Sequence, residues 1–340
     1  MSVYEGESEA PVPPIIEQKG RLIVLKPHEV AIQSPEGQRW LRERHEAVME
    51  HIRGCLSLRK HLFTDKWGDA FLNKWLADTG TLASFHHPSF YMEPRELETG
   101  IYPKDYLKRA DAGLRFIVEK APSANRKDLI GNLKDGVSAA AEFEVMLAWA
   151  LSTHFGDDSV EPYPRIGDND SKTVDFAVLR NGKRLLIEAM ILLDDRASAQ
   201  QKQLCIEHGI PGTVQWGNDE KDAERLLKAC HAKVHQRELR KPLFLCVNQW
   251  ASWPDPATGA EVVGRLLASE IWARDSTFVG MGYFYASRLV ASGFAEARAV
   301  AIGADLVLLS DTRSALCGLI DSESLQYAPM KRRSPDAGQT

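Results

Sequence analysis

Apolar positions recur with two different periods along this chain. Trp40, Leu41, His45, Val48, Met49, Ile52 and Leu56 follow helical spacing within a helical stretch from about Glu36 to His87. Trp67, Phe71, Leu72, Trp75 and Leu76 repeat it behind an N-cap at Thr64 or Asp65. Another helix is expected from Pro103 to Lys120, with Pro103 in its first turn and Pro122 past its end. Ahead of these, residues 1–20 are acidic and proline-rich and read as a disordered tail, followed by a short strand at Arg21–Leu25.

The period changes after about residue 136. An alanine-rich helix is expected over Ser138–His154, then strands at Val160–Arg165, Val174–Leu179 and Arg184–Leu193. A loop (Asp194–Asn218), an amphipathic helix (Asp219–Glu238) and a buried strand (Pro242–Asn248) follow. Beyond them come a helix near Glu261–Ala273 and strands at Ala299–Ile302, Asp305–Leu309 and Leu316–Ile320. The pattern gives a tail (1–20), a mainly helical N-terminal domain (21–135), a sheet-bearing domain with a C-terminal extension (136–326) and a second tail (327–340). No internal repeat is visible.

One residue breaks the strand pattern. Leu185-Leu186-Ile187-Glu188-Ala189-Met190-Ile191-Leu192-Leu193 is apolar on both faces except at Glu188. A buried carboxylate without partners is costly or loses its charge, so a bound group is one reason to keep it. Asp175 sits in similar company in Thr173-Val174-Asp175-Phe176-Ala177-Val178-Leu179. The intervening Arg180-Asn181-Gly182-Lys183 carries Asn-Gly, a strong hairpin signal. A hairpin there brings Asp175 and Glu188 together on adjacent strands, where two hard oxygen donors can share a divalent metal. The alternative is a structural ion pair or a solvated strand end, with Arg165, Lys172, Lys183 and Arg184 as basic neighbours in sequence.

Composition narrows the class. The chain has 340 residues, 44% hydrophobic and 26% charged, which is ordinary for a globular protein. A net charge of −5 argues against a protein that coats nucleic acid but permits a local basic cleft. In the helical third, Arg39, Arg42, Arg44, Arg53, Arg59 and Lys60 are interleaved with Glu43, Glu46 and Glu50, the pattern of a solvated charged face. The five cysteines form no C-x-x-C pair, so the expected compartment is a reducing cytoplasm. Neither a signal-peptide layout nor a membrane-length apolar run is found.

The order helix, strand, strand, strand, helix, strand over about Ser138–Asn248 resembles the PD-(D/E)XK nuclease superfamily, the restriction-endonuclease-like fold. The resemblance covers about a third of the chain. It implies an α/β fold with an α-β-β-β-α-β core around a mixed sheet, preceded here by a helical region. Asp175 matches the family aspartate and Glu188 the first position of the E-x-K tripeptide. Glu144, or alternatively Glu142, matches the extra glutamate on the first helix. By this resemblance Asp175, Glu188 and Glu144 would hold Mg²⁺ or Mn²⁺. The substrate would be a phosphodiester of DNA or RNA, DNA favoured, in DNA processing or defence.

The chain departs from the family at Met190, which stands where the motif lysine belongs and on the same strand face as Glu188. Lys183, Lys221 and Lys228 are the substitutes, with Lys228 the chosen catalytic candidate. Met190 also supports a rival reading, a non-catalytic module of this fold that binds nucleic acid or a protein partner, a homodimer included. Other motifs carry less. His231 and His235 have metal spacing, but Ala232-Lys233-Val234 between them lacks the glutamate of a zinc hydrolase. His86-His87 read as loop residues. Gly280-Met281-Gly282 has no third glycine at dinucleotide spacing, and neither a P-loop nor G-x-S-x-G occurs.

Overall fold

The computed structural model describes residues 15–18, 21–24, 30–82, 88–94, 105–134, 139–165, 174–192, 228, 243–249, 278–285, 298–301 and 307–309. The chain forms two compact units, one of residues 1–114, 127–142 and 194–215, the other of 115–126, 143–193 and 216–340.

The first unit begins with a hairpin, β1 (Ile15–Gln18) against β2 (Arg21–Val24), antiparallel with Ile15 opposite Val24. The acidic, proline-rich composition of residues 1–20 masked this hairpin in the sequence, although the β-branched pair Ile15-Ile16 favours a strand. Helix α1 (Pro35–His51) starts where Ser34 accepts a hydrogen bond from Gly37 N and Pro35 takes the first position. Helix α2 spans Leu56–His61. Helix α3 (Asp65–Leu76) is capped by Thr64, which accepts from Trp67 N at 3.3 Å. Phe63, Trp67, Phe71, Trp75 and Tyr91 pack ring to ring around α3.

Arg44 does not lie on a solvated face. Its side chain is 2% exposed and pairs with Glu93 Oε1 at 2.8 Å. The sequence pattern placed it outside because its partner is 49 residues away. Helix α4 (Tyr106–Lys120) follows the expected span from Tyr106 on, and Pro103 lies outside the described residues. Helix α5 (Ser123–Lys134) was not foreseen, since Leu129 and Leu133 alone form its buried stripe.

Helix α6 (Ala139–Phe155) leads into a seven-stranded mixed sheet in sequential order. Its strands are β3 (Val160–Pro162), β4 (Phe176–Arg180), β5 (Lys183–Leu192), β6 (Leu243–Gln249), β7 (Phe278–Tyr285), β8 (Arg298–Ala301) and β9 (Val307–Leu309). Pairing is antiparallel through β3-β4-β5, parallel through β5-β6-β7 and antiparallel through β7-β8-β9. The chain is therefore α/β. The β4–β5 turn has Asn181 at φ 52° and Gly182 at φ 72°, both positive as a type I′ turn demands. Strand β7 was not foreseen, because glycines at 280 and 282 weaken a strand signal. The 194–218 loop, the 219–238 helix except Lys228, the 261–273 helix, the 316–320 strand and the 327–340 tail lie outside the described residues.

Candidate functional site

The hairpin register brings the two strand carboxylates together. The last β4–β5 pair is Phe176 opposite Ile187, so one further step sets Asp175 opposite Glu188. Ala189 N donates to Asp175 Oδ2 at 2.7 Å, so that amide faces β4. Amides two apart on a strand face the same way, which makes Phe176–Ile187 a hydrogen-bonded pair and Asp175–Glu188 the next, non-hydrogen-bonded one. Opposite residues of that kind have Cα atoms about 4.5 Å apart and side chains on one face. The Asp175 carboxylate thus replaces a carbonyl that β4, starting at Phe176, does not supply.

Asp175 is held from its other side too. Tyr163 N donates to Asp175 O at 2.7 Å, extending the β3–β4 ladder beyond Pro162–Phe176. Glu188 is 1% exposed, with Leu186 and Ile187 fully buried beside it. Met190 is 7% exposed and, by strand alternation, shares the face of Glu188. Arg184 pairs with Glu161 at 2.5 Å, while Arg165 and Lys183 are exposed.

The two helix glutamates have separate tyrosine partners. Glu144 Oε2 accepts from the Tyr163 phenol at 2.6 Å, which ties it through Tyr163 to the backbone of Asp175. Glu142 is buried in the first unit and accepts from the Tyr106 phenol. Burial pushes its carboxyl up to about 7, with the Tyr106 hydrogen bond opposing. Among the described residues no three His, Cys, Asp or Glu side chains are grouped to hold a metal ion, so Glu144 does not complete a three-ligand set with Asp175 and Glu188. Two adjacent carboxylates still fit Mg²⁺ chemically, because that ion keeps several waters and takes one or two protein carboxylates.

Lys228 is helical and exposed. Lys221, Lys172, His86-His87, His231 and His235 lie outside the described residues, and Gly280-Met281-Gly282 lies within β7. Sequence patterns drew no notice to Tyr163 or Tyr106, because each acts on a glutamate far along the chain. Comparison with known protein families, curated proteins and solved structures finds no match for this chain. Among the described residues no helix is long and apolar enough to cross a membrane.

Proposed function

We propose that the chain is a metal-dependent nuclease of PD-(D/E)XK type, acting in the cytoplasm on phosphodiester bonds, with DNA the favoured substrate. The observation that carries this reading is Glu188, 1% exposed in an apolar strand and one register step from Asp175. Two like charges on one face repel each other, and a divalent cation relieves that repulsion. The order α6, β3, β4, β5, then β6 parallel to β5, supports a restriction-endonuclease-like core.

Mg²⁺ or Mn²⁺ would supply charge neutralisation at the phosphate and a bound water of lowered pKa. Asp175 and Glu188 hold that ion. The Ala189 amide fixes the rotamer of Asp175, and the apolar residues around Glu188 keep bulk water away from it. Lys228 is the candidate to meet the phosphate charge. Purified protein is expected to nick DNA with Mg²⁺ or Mn²⁺, to stop with chelator, and to lose cleavage in Asp175→Ala and in Glu188→Ala with circular dichroism unchanged. Cleavage that survives both substitutions would move the chemistry elsewhere.

A second reading is favoured by Met190, a buried thioether on the face where the motif lysine belongs. It makes the domain a non-catalytic module that binds nucleic acid or a protein. Retained DNA binding with no cleavage of DNA or RNA by the wild type would select it.

A further inference from the structure

We infer that Tyr163 is a positioning residue for the Asp175–Glu188 pair, and that Glu144 serves the pair through Tyr163 instead of touching the cation. The inference rests on the metal-binding reading above.

Three non-glycine residues among those described have positive φ: Phe90, Tyr163 and Asn181. Asn181 is explained by its hairpin turn, and Phe90 belongs to the helical unit. Tyr163, at φ 49°, is the one beside the strand carboxylates. An aromatic residue is disfavoured in that conformation. The following Pro164 restricts it further, because a residue before proline is driven toward extended backbone. Such strain persists where the surroundings over-determine it, and it clusters at functional sites.

Backbone, phenol and ring all hold Tyr163 in place. Its amide donates to Asp175 O at 2.7 Å, its phenol donates to Glu144 Oε2 at 2.6 Å, and its ring lies along Phe176 at 6.3 Å between centroids. The Asp175 carboxylate is meanwhile fixed by Ala189 N. A turn of Tyr163 would therefore pull the Asp175 carbonyl and shift the carboxylate against its amide donor. The phenol bond ties this turn to helix α6. Its length suits a carboxylate acceptor, for which O–H···O⁻ bonds run at about 2.5–2.7 Å. Glu144, Asp175 and Glu188 do not group as three metal ligands, which agrees with an indirect role for Glu144.

The test uses the full chain with Mn²⁺ alone as probe, its free concentration read by electron paramagnetic resonance. Wild type is expected to bind Mn²⁺ and Asp175→Asn to lose it. Tyr163→Phe keeps the ring and the amide bond but drops the phenol; its affinity is expected to fall by about 10-fold or more, the usual effect of removing an outer-shell partner. Glu144→Ala cuts the same bond from the helix side and is expected to match it, so the inference stays testable should Tyr163→Phe fail to fold. Glu144→Gln retains an acceptor for the phenol and is expected to keep wild-type affinity, which a ligand role would not allow. Wild-type affinity in Tyr163→Phe, or equal losses in Glu144→Gln and Glu144→Ala, overturns the inference alone. Absence of Mn²⁺ binding by wild type, or equal binding by Asp175→Asn, overturns the metal-binding reading beneath it.

Discussion

Arg44 in the helical unit and Glu188 in the sheet unit are both almost wholly buried, at 3% and 1% exposure. Their surroundings differ in kind. Arg44 meets an opposite charge, Glu93, and also donates to the Tyr91 carbonyl at 3.3 Å. Beside it, His45 Nδ1 and the Tyr91 hydroxyl are 2.6 Å apart, and burial lowers the His45 pKa, favouring the neutral ring. Glu188 has a second carboxylate as its register neighbour, and one donor to Asp175 is the neutral Ala189 amide. The helical cluster is balanced within the protein and reads as architecture. The strand pair sets two carboxylates in register, the arrangement on which the proposed cation site rests.

The largest expected effect breaks the helical side. Glu93→Ala leaves Arg44 buried beside a lost partner and should cost about 3–5 kcal/mol in urea unfolding. Glu188→Gln keeps the size of the side chain and one oxygen acceptor while removing one of two neighbouring carboxylates, so in metal-free buffer it should cost less than Glu93→Ala. Equal losses in the two variants would mean that Glu188 carries as much stability as the Arg44–Glu93 pair, and the contrast between the units would collapse.

A third buried ionisable group, Glu142, gives the next effect. Its folded value of about 7 stands above an ordinary 4.5, so the folded chain binds the extra proton between those values. The associated stability is fully present below about pH 4.5 and is lost as pH rises through about 7. The change is on the order of 3 kcal/mol. Glu142→Gln should flatten this part of the pH–stability curve and gain most over the wild type at pH 8. A variant curve parallel to wild type from pH 5 to 8 would show that Glu142 titrates normally.

What could be read in advance follows from where the information lies. Asn181-Gly182 and the apolar runs on either side are local, so the hairpin and its Asp175–Glu188 register were legible. Glu188 stood out because its neighbours along the chain are all apolar. The choice between Glu142 and Glu144 was not legible, since α6 is apolar nearly all round and periodicity assigns no face. Tyr106 and Tyr163, 36 and 19 residues away, engage them separately. The positive φ of Tyr163 left no trace either, since Pro164 argues for extended backbone. Helix α5 and strand β7 were missed where one short stripe and two glycines diluted the pattern.

The smallest effect sharpens the contrast most, because it adds a cation to the strand row. Met190→Lys places an ammonium on the face of Asp175 and Glu188. A buried ammonium is costly alone, but two nearby carboxylates offset much of that cost. In metal-free buffer the variant should stay within about 1 kcal/mol of wild type, with Mn²⁺ affinity reduced by the competing charge. The same lysine in a Glu188→Gln background should cost more, and a double-mutant cycle should show coupling of about 1 kcal/mol or above. If cleavage rises as well, the ammonium has landed where phosphate charge develops, and the wild-type site held its metal but lacked that group. If cleavage falls, a lysine from elsewhere, Lys228 foremost, already fills the place and is repelled. Zero coupling with unchanged Mn²⁺ affinity would mean that residue 190 does not face the pair. The strand would then be twisted out of simple alternation beyond Glu188, and the sheet unit would lose its claim to a cation site at that row.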